Sequence, residues 1–88
     1  MQTDLSALAR EHLERVRTFY DAAPVEPQWG ARCYRGLLAH YYNLLIPVDA
    51  TVLEIGCGSG LLLSQIRAGR KTGLDLSATQ IAAARQRV

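Results

Sequence analysis

Nine residues, VLEIGCGSG from Val52 to Gly60, restrict the fold of this chain more than any other stretch. A short apolar run ends in glycines at positions 56, 58 and 60, and GLDLS follows at Gly73 to Ser77. A core needs the apolar run but not the glycines, because glycine costs backbone entropy wherever no special dihedral or close approach requires it. Strand, glycine turn, helix and second strand make a βαβ unit, whose ligands sit at the carboxyl ends of the strands. The turn Gly56 to Gly60 occupies that place, and free N–H groups of the following helix would favour an anionic group. Asp75 comes 19 residues after Gly56, at the end of the second strand and on the same sheet edge. A carboxylate there accepts only, and can take both hydroxyls of a ribose.

The rest of the chain fits around this unit. Leu5, Leu8, His12, Val16 and Phe19 recur at helical steps, predicting a helix from Asp4, its N-cap, to about Tyr20. Pro24, Pro27 and Gly30 break the pattern. Tyr34, Leu37, Leu38, Tyr41 and Leu45 predict a second helix over Ala31 to Leu45, with Pro47 as its stop. Thr51 to Ile55 reads as a buried strand, and Leu61 to Ala68 as a helix ending at Gly69. Lys71 to Leu76 gives a second strand, and Ser77 with Gln80 forms a capping box for a last helix. Two parallel strands leave both sheet edges open, where larger sheets are the rule. The chain is therefore expected to be the N-terminal part of a longer protein.

Composition narrows the function. At 88 residues, 49% apolar and 20% charged, the chain is globular, with material for one small core and not for two. A net charge of +2, with the basic residues of the second half scattered singly, argues against nucleic acid as partner. Cys33 and Cys57 lie 24 apart with no histidine at metal spacing, which disfavours a disulfide scaffold or a zinc site. The N-terminus lacks the pattern of a secretion signal, and no apolar run is long enough for a membrane span. A reducing cytoplasm is the expected compartment.

The glycines themselves separate nucleotide classes. G-x-G-x-x-G, the dinucleotide fingerprint, would need glycine where Leu61 stands, so a nicotinamide-dependent oxidoreductase is disfavoured. A phosphate loop would need G-K-[ST], which is missing. In its full form, VLEIGCGSG resembles motif I of the class I S-adenosylmethionine-dependent methyltransferases, and TGLDLS resembles their second motif. FYD at Phe19 to Asp21 resembles the segment that precedes motif I in small-molecule members of the class. The likeness is strong over Leu53 to Val88 and weak before it.

The resemblance implies an α/β, Rossmann-like methyltransferase fold, truncated here to two helices and the first β-α-β-α of a parallel sheet. Residues 1–48 would form a helical lid, and residues 49–88 the first half of an S-adenosylmethionine-binding domain. It implies that Gly56, Cys57, Gly58 and Gly60 line the methionine part of the cofactor, with Glu54 near its amine or on the loop. It further implies that Asp75 binds the ribose hydroxyls, that Leu76 lies against the adenine and that Tyr20 reaches over the cofactor. No residue is assigned as catalytic and no metal is expected.

Plainer roles stand beside these. Glu54 could bond the glycine-loop amides, and Cys57 could be a small filler. His12 and His40 fit surface positions, the tyrosines of the second helix fit a core stripe, and Trp29 fits either a staple between helices or a pocket cap. The expected partner is a small-molecule methyl acceptor, and the open sheet edge is available for self-association. The rival from another class is a non-catalytic interaction module with an unused cofactor motif.

Overall fold

The computed structural model describes residues 5–25 and 28–88. Six elements follow in order: α1 (Leu5–Ala22), α2 (Trp29–Leu45), β1 (Thr51–Ile55), α3 (Leu61–Gln65), β2 (Arg70–Leu74) and α4 (Ala78–Arg87). The fold class is α/β, with β1 and β2 paired in parallel from Thr51 opposite Arg70 to Ile55 opposite Leu74. The expected cap Asp4 and break Pro27 lie outside the described residues.

The sheet is covered on one face. Val52 and Glu54 on β1, and Lys71 and Gly73 on β2, are half-buried on the helix side. Leu53, Ile55 and Leu74 point the other way, and Ile55 is 79% exposed. A buried strand was expected for Thr51 to Ile55. Its alternating burial corrects this, because the described helices pack on the Val52 face alone.

That packing forms the core. Ala39 of α2 meets Leu62 and Ile66, with Leu38, Ile46, Val52 and Ala68 closing around them. On the α4 side Leu63 is 2% exposed, a burial that contributes about 1.5–3 kcal/mol relative to full exposure. The stripe Tyr34, Leu37, Tyr41 and Leu45, expected to face the core, is exposed instead. A polar residue decides how α2 rolls. Asn43 donates to Gln65 O at 2.9 Å and accepts from the Arg67 N–H at 2.8 Å. These bonds serve groups that the end of α3 leaves without helical partners.

The same need shortens α3, which stops at Gln65 and not at Ala68. Lys71 Nζ donates to Leu63 O at 3.0 Å, and Ile66 turns extended, so the last carbonyls are satisfied from outside the helix. Gly69 is not a helix cap. It lies on Asp49, where a side chain would come within 3.1 Å of the backbone carbonyl. Helix α2 begins at Trp29, two residues early, and Trp29 is exposed, neither staple nor cap. It ends where Ile46 becomes extended before Pro47, as the residue ahead of a proline tends to.

Helix α1 fully buries no residue, and of its stripe only Val16 is half-buried, at the cleft, while Leu5, Leu8, His12 and Phe19 stay exposed. The pair Glu11–Arg15, at 2.8 Å and solvent-exposed, adds about 0.3–0.5 kcal/mol. The helix is held at its C-terminal end. Ser77 Oγ donates to Asp21 Oδ1, and Gln80 Nε2 donates to Tyr20 O at 3.2 Å and to Ala23 O at 3.4 Å. Ser77 and Gln80 are both buried, and the Ser77 hydroxyl accepts the Gln80 N–H at 3.2 Å. Only half of the expected capping box therefore forms: the Gln80 side chain reaches α1 and not the Ser77 N–H. Asp21→Ala is expected to raise amide hydrogen exchange in the last two turns of α1 while β1 and β2 stay protected. Unchanged exchange in α1 would show that the attachment does not depend on this bond.

Candidate functional site

The ladder continues into the glycine turn. Gly56 N–H and Cys57 N–H both donate to Leu74 O, at 2.7 and 3.0 Å, so the turn is tied to the end of β2. Gly56, Gly58 and Gly60 all have positive φ, at 78°, 55° and 78°, the left-handed region that other residues rarely take. They differ in surroundings. A side chain at Gly56 would meet nothing within 4 Å, so the turn offers bare backbone there. At Gly60 it would lie 2.9 Å from Val88 Cγ2 and 3.1 Å from Ala84 Cβ. Gly60 thus lets the α4 segment approach the turn closely.

Gly73 supports the turn from below. A Cβ there would sit 2.7 Å from Cys57 Sγ, so its absence opens the space for the Cys57 side chain. Burial, with Asp75 and Glu54 nearby, pushes the Cys57 thiol above its ordinary pKa. The thiol stays protonated at neutral pH, and the residue fills space as the plainer reading has it.

Asp75 follows β2 directly and joins the two halves of the site. Its Oδ2 accepts the Gly58 N–H at 2.8 Å and its Oδ1 accepts the Ser77 N–H at 2.9 Å. The strand-end acid therefore has a structural task that the sequence did not disclose. Each oxygen keeps further acceptor capacity for a ligand.

Glu54 does not bond the loop amides. Its Oε1 is buried with no hydrogen-bond partner among the described residues. Burial raises its pKa, an effect the Arg35 charge partly offsets. A carboxyl whose folded pKa is raised loses stability as pH rises from the ordinary glutamate value through the folded one. Glu54→Gln should therefore raise Tm at pH 7 to 8, with the gain vanishing at acid pH where Glu54 is itself protonated. Equal melting of the two proteins at pH 7 would show that the buried charge carries no cost.

A cleft of about 610 Å³ lies over the turn, within the usual range for small-molecule sites. Tyr20 from the end of α1, Pro24 just after it, Arg35 from α2, Gly56 to Ser59, and Leu74 to Leu76 form its walls. Of the expected site residues, Tyr20, Gly56, Cys57, Gly58, Asp75 and Leu76 meet there. Gly60 faces α4, and Glu54 lies outside the lining. Arg35, Ser59 and Gln80 line the cleft without having been expected. Gln80 carried a signal in its capping spacing, whereas Arg35 carried none.

A glycine turn and a strand-end acid meeting in one cleft at the carboxyl edge of a parallel sheet define the ligand-binding corner of a Rossmann-like fold. Residues 53–88 match the family model described as a methyltransferase domain, which supports a class I S-adenosylmethionine-dependent methyltransferase domain over that stretch. No curated protein and no solved structure matches the chain. Among the described residues, no helix is long and apolar enough to cross a membrane.

Proposed function

We propose that the cleft binds S-adenosylmethionine and serves methyl transfer to a small-molecule acceptor. The observation that carries this reading is the bond from the Gly58 N–H to Asp75 Oδ2, which places the bare turn and the acid side by side. The donor set fits the cofactor: Asp75 offers acceptors to a ribose diol, Gly56 to Gly58 offer backbone to the methionine part, and Leu76 offers an apolar face to adenine. Tyr20 would close the cleft from α1, in keeping with residues 1–48 as a lid over the domain that begins at 49. The cofactor supplies an electrophilic methyl group on a sulfonium; the chain positions it, the main requirement of such a transfer. Two free cysteines accord with a reducing, cytoplasmic setting.

Isothermal titration with S-adenosylmethionine beside NADH tests the reading. Binding of the first and not the second is expected, and the reverse would turn the site into a nicotinamide pocket. One observation favours the rival interaction module, namely the exposed apolar row Leu53, Ile55 and Leu74 along an open sheet. Self-association with no response of Tm to S-adenosylmethionine would support that module instead.

A further inference from the structure

Among the described residues, two charged side chains stand in the walls of the cleft, Arg35 and Asp75, rooted on different elements. Asp75 comes from the end of β2 and is held by two backbone amides. Arg35 comes from α2 and makes no hydrogen bond or ion pair with any described residue. The carboxyl nearest to it in effect, Glu54, is outside the lining and keeps Oε1 unpartnered, so the two are not joined as a salt bridge. A guanidinium in a cleft wall with its donors unused is suited to a planar anion, which it grips with two parallel N–H bonds.

We infer that Arg35 recognises a carboxylate, that of the amino-acid end of the nucleoside ligand, while Asp75 takes the opposite, hydroxyl-bearing end. The inference rests on the cofactor reading above and adds to it a residue that selects the amino-acid part. The cleft then offers an anionic group from the end of β2 and a cationic group from the α2 wall. A ligand with a diol at one end and a carboxylate at the other matches both poles. A nucleoside lacking the carboxylate matches one pole only.

Isothermal titration of the chain with S-adenosylhomocysteine and with 5′-methylthioadenosine, which lacks the carboxylate, tests this. Arg35→Gln should weaken S-adenosylhomocysteine binding at least about tenfold, the loss of a charge-assisted pair. Binding of 5′-methylthioadenosine should not change. Arg35→Lys, which keeps the charge and loses the fork, should fall between. A thermal melt of each variant, expected to stay cooperative and to fall only slightly as Glu54 loses the offsetting charge of the exposed Arg35, separates these effects from misfolding. Equal loss for both nucleosides, or loss for neither, would overturn the role of Arg35 and leave the cofactor reading intact. A wild-type chain that binds neither nucleoside would overturn the cofactor reading and this inference together.

Discussion

Asp75→Ala weakens S-adenosylmethionine binding by well over tenfold if the carboxylate does what its place implies. Two losses combine. The ligand loses a charged acceptor, and the turn loses the acceptor of the Gly58 N–H. Hydrogen bonds to a charged group contribute about 1.5–3 kcal/mol each, so either loss alone approaches or exceeds a tenfold effect. Asp75→Asn separates the parts. Its amide nitrogen cannot accept from an N–H, so only one of the Gly58 and Ser77 bonds can survive. Affinity between those of wild type and Asp75→Ala is expected in titration. An Asp75→Ala protein that melts early but binds with unchanged affinity would leave the acid a structural role alone.

The second large effect falls on stability. Gly60→Ala is expected to cost roughly 3 kcal/mol in urea unfolding, and Gly56→Ala about half of that or less. Both positions have φ of 78°, so both variants carry the left-handed penalty of about 1–2 kcal/mol. Only at Gly60 does the new methyl group press on a neighbour, the backbone and Cβ of Ala84 and the tip of Val88. Overpacking of that kind adds about 1–3 kcal/mol. The difference between the two variants therefore measures how tightly α4 sits on the turn. Equal costs would mean that α4 yields without effort, and that Gly60 is required for its dihedral alone.

These two residues also show how much the sequence could disclose. The glycine turn, β1 and the acid are written in local terms: apolar run, positive-φ glycines, strand-end carboxylate. All three stand where the spacing put them. The roll of α2 was not legible, because it depends on Asn43 meeting Gln65 and Arg67, more than twenty residues away. For the same reason Arg35 could not be placed at the cleft before its helix was oriented. The length of α3 was overestimated, since Lys71 and Asn43 satisfy its end from other elements. Gln80 was read for its local partner and found a distant one in Tyr20. Apolar periodicity identifies which segments are helical. It does not say which polar residue will turn the helix.

The attachment of α1 has a mechanical consequence. A helix of 18 residues is about 27 Å long, and this one is pinned at its C-terminal end by Asp21 and by the carbonyls of Tyr20 and Ala23. It is a lever with its fulcrum at the cleft wall. A tilt of about 10° about that fulcrum carries the Leu5 end through roughly 5 Å, yet shifts Tyr20 by less than about an ångström. Whatever pulls on the far end of α1, the ligand meets nearly the same wall.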